Sequence, residues 1–469
     1  MTTYTLKDFP LIELNPILTV DSYKTSHPFQ YPDGSTNVSS YIESRGGPFN
    51  EAVFFGLQAF IIKYLLKPIT KAEVDFAADV FEAHGTPFDK AGWMIVVDDW
   101  DGFLPIEIEA VPEGTVMPTR NAQVQIINLD DRLPWMTSAV ETAALRAVWY
   151  ASTVATLSRA AKQHIYKALK LTSDDPDGQI DFKLHDFGAR GATSSESAML
   201  GGMGHLVNFK GTDTVEAVIG ARMFYGEHMA GFSIPATEHS TITSWGRSGE
   251  VDAYRNFLLK NPTGLIACVS DSYDMMYCAE HIWGGTLKEM VESRDGTLVV
   301  RPDSGDPMVV PLDVIEVLMT KFGYTVNSKG FKVLPDCIRV LQGDGMNIDS
   351  IQVLLTNAIK RGISIDNFAM GMGGGLLQKV DRDTMKYAMK ASAIKIDGIW
   401  NDVFKDPITD KDKRSKKGRL SVIKTNGNYA TVRKESDGGR NIMRPVLNAG
   451  KLLVFDNFDI IRERAAKNK

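Results

Sequence analysis

The chain has 469 residues, with 58 Asp and Glu against 52 Lys and Arg and a formal net charge of −6. A hydrophobic share of 43% and a charged share of 23% are those of a globular protein long enough for two domains, and exclude disordered and fibrous classes. The acidic balance argues against nucleic acid or an anionic membrane as the main partner, though a local basic pocket remains compatible with it.

Cys268, Cys278 and Cys337 are odd in number and widely spaced. They make neither a disulfide framework nor a zinc pattern, so a reducing cytoplasm is the expected location. Lys7, Asp8 and Glu13 precede any apolar run, so no signal peptide is expected. No segment approaches the ~20 apolar residues needed to cross a bilayer.

In chain order, 17–20 and 36–44 read as strands separated by a polar D-S-Y-K-T-S-H. Two helices follow, the second opened by Thr70 with Glu73 three residues on, a capping box. Residues 104–111 and 122–128 alternate apolar and polar, as a sheet with one wet face does. Met94 to Asp99 reads as a strand end. Helices are expected over about 135–149 and 154–170, leading to a linker, S-D-D-P-D-G, at 173–178.

Beyond the linker, apolar runs alternate with helix-length segments. The runs lie at 182–188, 206–213, 265–272, 297–305, 338–345 and 368–375, and each ends in Asp, Arg or Gly. Near-continuous apolar strands followed by helices predict parallel βα units, a barrel or an open sheet. Ligands of such folds sit at the carboxyl ends of the strands, where these polar and glycine residues stand. After about 385 alternation returns, and this tail is expected to rejoin the N-terminal sheet around a basic loop at 411–419. The predicted domains are 1–178 with 386–469 as an accessory sheet domain, and 179–385 as the α/β part.

Several motif matches fail. Asp186-Phe187-Gly188 lacks the glycine-rich loop and catalytic loop of a kinase. Met94 to Asp99 lacks the small residues and glycine that follow the sugar-binding motif of Rossmann-like phosphoribosyltransferases. Gly371 to Gly375 is not a dinucleotide fingerprint.

Other signals are weak singly but agree together. Gly373-Gly374-Gly375 after a strand offers backbone amides to a phosphate. Arg301 and Asp303 share one face of an extended strand end, an anion-binding cation beside an acceptor for vicinal hydroxyls. His239 lies among Glu238, Ser240, Thr241 and Thr243, and Asp271 and Asp274 stand at a strand exit where a carboxylate could hold a histidine tautomer. Read blandly, the histidine is a packed side chain, the glycines a turn, and Arg190, Arg382, Lys390, Lys405 and Lys413 solvated charges. Together they describe a site for a phosphorylated sugar, with no metal-ligand cluster.

Over nearly its whole length the chain resembles the nicotinamide phosphoribosyltransferase family of type II phosphoribosyltransferases. The resemblance rests on a collinear set of stretches. They include D-S-Y-K at 21–24, V-F-F-G-L-Q at 53–58, K-L-H-D-F-G-A-R at 183–190, N-F-K-G-T-D-T at 208–214 and E-H-S-T-I-T-S-W-G at 238–246. S-D-S-Y-D at 270–274, R-P-D-S-G at 301–305, Q-G-D-G at 342–345, G-G-G-L-L-Q-K at 373–379 and V-F-K-D-P at 403–407 continue it.

The resemblance implies an irregular parallel α/β barrel with an accessory sheet domain, acting as a homodimer with sites at the subunit interface. It implies that Phe187 and the partner subunit's Tyr23 stack the pyridine and that Asp213 accepts from its carboxamide. Arg301 would lie near the pyridine and phosphates, and Asp303 near the ribose. Arg190, Gly343, Asp344, Gly373, Gly374, Arg382 and Lys390 would serve the ribose and 5′-phosphate, and Arg45, Lys405 and Lys413 the pyrophosphate. His239 would be the histidine that ATP phosphorylates, with Asp274 as its partner. Ala189 and Ala388 depart from an aromatic and a serine seen in the family, and the loop after Arg45 is short.

The implied reaction joins nicotinamide to phosphoribosyl pyrophosphate, with Mg²⁺ and ATP in attendance. The alternatives are a nicotinate- or quinolinate-using sister enzyme, or a non-catalytic binding or signalling protein on the same fold. Asp213 argues against the first, because a carboxylate substrate would face a carboxylate.

Overall fold

A computed structural model describes residues 13–409 and 413–467, so Lys7, Asp8 and the start of the basic loop lie outside the described residues. The chain forms two compact units, Met1–Tyr150 with Arg382–Asn457, and Ala151–Asp381 with Phe458–Lys469.

The first unit is built on a seven-stranded sheet. Its order is Ile399–Asp402, Tyr387–Ile396, Ser35–Ser44, Ala122–Asn128, Ile106–Ala110, Arg444–Asn448 and Lys451–Leu452, with antiparallel neighbours throughout. The tail therefore rejoins the N-terminal strands as expected. Ile42, Ile108, Val124 and Ile126 point from this sheet into a core shared with Phe54, Trp93 and Trp135. Thr70 and Glu73 make the predicted capping box at the start of Lys71–His84.

Three local expectations are corrected. Residues 17–20 are turns rather than a strand, because the Asn15 side chain accepts from the amides of Ile17 and Leu18 at 2.9 and 3.3 Å and folds the chain back. Met94 to Asp99 lies in the helix Lys90–Asp99, capped by Asp89 accepting from Gly92 at 2.9 Å and buried through Trp93 and Val96. A four-residue apolar run does not distinguish a strand from one turn of buried helix. The two helices expected at 135–170 are a short one, Met136–Ala139, and a single 32-residue helix, Glu141–Thr172.

In the second unit all six predicted runs contribute strands to one parallel sheet. The order is Gly211–Thr212, Leu184–Asp186, Phe368–Met372, Ile338–Gln342, Leu298–Arg301 and Ile266–Val269. The segment around 232–236 then pairs in parallel with Gly211 at one edge and with Ala267 at the other, so backbone pairing closes into an irregular barrel. Ala267, Val299 and Leu341 fill its interior with Phe187, Ile234 and Ala369.

Side chains on a strand alternate between faces. Residues an even number of steps beyond these inward positions therefore line the carboxyl-end rim, among them Arg301, Asp303, Gly343, Gly371 and Gly373. Helices Ser195–Leu206, Val215–Tyr225, Val310–Phe322 and Ile348–Lys360 connect the strands.

The unit boundary falls inside the long helix, not at 173–178. The carbonyl of Thr172 accepts from Asn327 and Ser364 at 2.6 and 2.8 Å, which ties the expected linker to the barrel. The last helix, Phe458–Ala466, also joins the barrel unit, through Arg159 to the Ala465 carbonyl at 3.0 Å and Arg462 to that of Leu206 at 2.8 Å.

Candidate active site

The barrel rim gathers two polar groups. The first surrounds Phe187, whose ring centroid lies 4.8 Å from that of His185. The His185 Nε2 to Asp213 Oδ1 distance is 2.8 Å, and the Ser233 hydroxyl donates to the same oxygen at 2.5 Å. Burial opposes ionisation of Asp213, but the hydrogen bonds from His185 and Ser233 and the charge of Arg301 outweigh it and hold the carboxyl below its ordinary value. Asp213 does not cap the following helix. Thr214 occupies the cap position of Val215–Tyr225 without a capping bond from its side chain, and its amide donates to the Thr212 hydroxyl at 3.0 Å. Asp213 thus presents an ionised acceptor beside an aromatic face.

Phe187 requires Gly371, since a Cβ there would meet the ring at 2.2 Å. Gly211 is required in the same way, its Cβ position lying 2.7 Å from His185 Nδ1. Beneath the rim, Asp186 accepts from the Gly188 amide at 2.7 Å and from the Thr212 hydroxyl at 3.2 Å. This buried carboxyl is pushed up by burial and shapes the turn that carries Phe187.

The second group surrounds His239, the first residue of the short helix His239–Thr243. Its Nε2 lies 3.0 Å from Asp271 Oδ1, and the Asp271 side chain is only 4% exposed. The expected pairing with Asp274 is corrected. Asp274 is the N-cap of Met275–Tyr277 and accepts from the Tyr277 amide at 2.9 Å. With Nε2 engaged by a carboxylate, the lone pair of His239 is directed to Nδ1. Arg247 stacks over the Tyr273 ring at 5.3 Å close by in sequence.

Arg301 and Asp303 pair loosely at 3.5 Å, and Arg301 Nε is buried without a hydrogen bond. Such an orphaned donor suits an anionic ligand. Asp303 Oδ1 lies 3.4 Å from where a Gly343 side chain would begin, so the loops at 301–305 and 342–345 meet. Asp344 is exposed, and its carbonyl accepts from Gln342 at 2.9 Å. Gly373 and Gly374 open the short helix Gly374–Leu377, and Arg190 is exposed on the turn Ala189–Gly191.

The remaining predicted residues belong to the first unit. Tyr23 is 60% exposed on the turn Ser22–Phe29, its ring edge-on to His27 at 5.3 Å. Lys390 is half-buried on Tyr387–Ile396. Burial lowers its pKa, Glu141 opposes that, and Arg45, Lys24 and Arg382 reinforce it. Four cations thus gather in this unit against Glu141 and Glu43. Lys24 pairs with Glu141 at 2.6 Å and Arg45 with Glu43 at 3.0 Å, while Arg45 Nη2 is buried without a partner. Lys405 and Lys413 are exposed, on a loop pinned by Ser415 accepting from the Lys405 amide at 2.9 Å.

Sequence reasoning missed Ser233, Ser304, Gly371, Lys24 and Glu141, and weighed Asp271 only beside Asp274. Only Gly371 carried a signal, as a glycine within an apolar strand. A cavity of about 810 Å³ lies away from this rim. It is lined by Arg159, Tyr166, Asp181, Lys210 and Arg462, next to residues that precede the strands. Among the described residues no cluster of His, Cys, Asp and Glu could hold a metal, the cysteines are free, and no helix is long and apolar enough to cross a membrane.

Residues 182–450 match the pattern of the nicotinate phosphoribosyltransferase family, and residues 15–108 match the nicotinamide phosphoribosyltransferase N-terminal domain. A nicotinamide phosphoribosyltransferase of Xanthomonas campestris pv. campestris is 52% identical over 412 residues, covering 87% of this chain and 88% of that protein. The chain belongs to the nicotinamide phosphoribosyltransferase family.

More distant members include proteins of that name from Mycoplasma pneumoniae, 30% identical over 87% of this chain and 95% of that one, and from Acinetobacter baylyi, 27% identical over 97% of both. The nicotinamide phosphoribosyltransferase fold extends to solved structures. A nicotinate-nucleotide pyrophosphorylase from Pyrococcus furiosus has a TM-score of 0.61 at 18% identity, covering 99% of this chain and 98% of that one. Human nicotinic acid phosphoribosyltransferase has a TM-score of 0.58 at 14% identity, covering 95% and 92%. At these identities the likeness concerns the fold alone.

Proposed function

We propose that this enzyme transfers the phosphoribosyl group of phosphoribosyl pyrophosphate to nicotinamide, giving nicotinamide mononucleotide and pyrophosphate, a step of NAD salvage. The observation that carries this reading is the Asp213 carboxylate beside Phe187. Its Oδ1 is bonded by His185 and Ser233. The other oxygen can accept from a carboxamide NH₂ while the pyridine stacks on Phe187. The ring nitrogen then attacks C1 of the sugar. The C1–N bond forms as the C1–O bond to pyrophosphate breaks, through an oxocarbenium-like state with no protein nucleophile.

Arg301, with its unmet Nε, and Asp303 suit the phosphates and the ribose hydroxyls. The cations Arg45, Arg382 and Lys390, with Lys405 and Lys413, suit the negative charge of the substrate and leaving group. Mg²⁺ here fits a substrate-carried ion rather than a protein cage. Two rim carboxylates, Asp303 and Asp344, stand on neighbouring loops, and such ions commonly use one or two carboxylates plus phosphates and water. When bound, the ion offsets charge on the pyrophosphate.

ATP is read as a co-substrate. Nδ1 of His239 attacks the γ-phosphorus, a P–N bond forms, the P–O bond to ADP breaks, and water later hydrolyses the phosphohistidine. Asp271 holds the Nε2 proton throughout. Tyr23, exposed on the first unit, supports a homodimer in which the partner's copy covers the pyridine.

The test is pyridine-dependent pyrophosphate release, with nicotinamide and nicotinate compared in wild type and Asp213→Asn. Nicotinate lacks the donor and adds a second negative charge, so wild type should prefer nicotinamide by ~10⁴-fold or more in kcat/KM. Asp213→Asn should narrow that ratio by at least an order of magnitude. An unchanged ratio in the variant would leave Asp213 without a selective role.

A further inference from the structure

We propose that Ser304 is a positioning residue that links sugar binding at Asp303 to the reactivity of His239. The inference rests on the phosphohistidine reading above. Asp271 is almost wholly buried, and both its oxygens are engaged: Oδ1 by His239 Nε2 at 3.0 Å, and Oδ2 by the hydroxyl of Ser304, which donates at 2.5 Å. No other described side chain bonds Oδ2. The carboxylate that orients the histidine is therefore itself oriented by one hydroxyl.

That hydroxyl belongs to the residue after Asp303, in a loop turned by Gly305 at φ +84°. Asp303 is the acceptor assigned to the ribose, and Arg301 on the same loop is assigned to the pyridine and phosphates. A sugar whose hydroxyls donate to Asp303 fixes this loop, and with it the donor to Asp271 one residue away. The path is a single chain of contacts, Asp303 to Ser304 by the backbone, Ser304 to Asp271 to His239 by hydrogen bonds. Binding linkage is reciprocal, so a phosphoryl group on His239 must alter sugar affinity by the factor with which the sugar alters phosphorylation. The bland alternative is that Ser304 only stabilises its own turn. A turn residue would not transmit between ligands.

The test uses wild type, Ser304→Ala, Ser304→Cys, Ser304→Thr and His239→Ala as full chains. Acid-labile phosphoenzyme from γ-labelled ATP is measured with and without phosphoribosyl pyrophosphate, and the affinity for phosphoribosyl pyrophosphate with and without ATP. Ser304 is exposed, so its removal leaves no core cavity. The Ala variant should still form phosphoenzyme, but the factor by which each ligand changes the other's affinity should fall at least fivefold. Thr should restore the factor, because it keeps the hydroxyl, and Cys should lie between.

Coupling within twofold of wild type in Ser304→Ala, or equal loss in Ala and Thr, would overturn the linkage while the phosphohistidine stands. Absence of phosphoenzyme from wild type, or its persistence in His239→Ala, would overturn the underlying reading and this linkage with it.

Discussion

Asp271 and Asp274 are three residues apart in one loop, yet only one of them faces the histidine. Asp271 follows the strand Ile266–Val269 by two residues and lies beneath His239, whereas Asp274 turns its carboxylate onto the Tyr277 amide. Replacing them separates chemistry from capping. Asp271→Asn can no longer hold a proton on Nε2 as an anion does, so phosphoenzyme formation should fall on the order of 10²-fold or more. Asp274→Ala should leave phosphorylation within a few-fold and cost about 1 kcal/mol as a lost cap. Rapid-quench phosphorylation and thermal unfolding of the two variants decide it, and the reverse ranking would return Asp274 to the role first expected of it.

At the scale of elements, the aromatic platform depends on two strands in parallel register. Gly371 stands beside His185 and Met372 beside Asp186, and the Phe187 amide donates to the Met372 carbonyl at 3.0 Å. This register carries the Phe187 ring across the strand Phe368–Met372 at Gly371, where only a hydrogen fits. Gly371→Ala places a Cβ 2.2 Å from the ring and must displace it. The KM for nicotinamide should rise on the order of tenfold, about 1.4 kcal/mol, with the KM for phosphoribosyl pyrophosphate little changed. Steady-state kinetics in both substrates tests this, and an unchanged pyridine KM would mean that Phe187 does not form the platform.

At the scale of the whole molecule, pH acts on the barrel far from the rim. Lys183 precedes the strand Leu184–Asp186 and is buried, its ammonium donating to the carbonyls of Ile365, Asp366 and Phe368 at 2.9, 3.3 and 3.1 Å. Burial pushes it down from 10.5 to about 7, against the partial support of Asp366. The unfolded chain therefore binds more protons here between about pH 7 and 10. The contribution of Lys183 to stability rises with pH through that window and is lost as pH falls through about 7. The Tm of wild type minus that of Lys183→Met should grow from pH 7 to pH 10, at roughly 2–4 °C per kcal/mol for a unit of this size. A difference independent of pH would show that Lys183 keeps an ordinary value.

The six apolar runs were legible as parallel strands because each is buried on both sides and ends in a polar or glycine residue, a local pattern that needs no partner to be read. The capping box at Thr70 and the return of the tail to the first sheet were legible for the same reason. Met94 to Asp99 was misread because a short apolar run has no period of its own, and the 173–178 linker because its tie to the barrel runs through Asn327 and Ser364, far along the chain. The site divides likewise. Arg301 and Asp303 were legible by residue type at a strand end and His239 by its polar neighbours, whereas Phe187 and Asp213 were given roles only by the family resemblance. The choice of Asp271 over Asp274, and the service of Ser233, Ser304 and Gly371, were decided only by the tertiary structure. Hydrogen-bond pairing and close contact depend on which strand lies beside which and which face each loop presents, and closure of the barrel sets both.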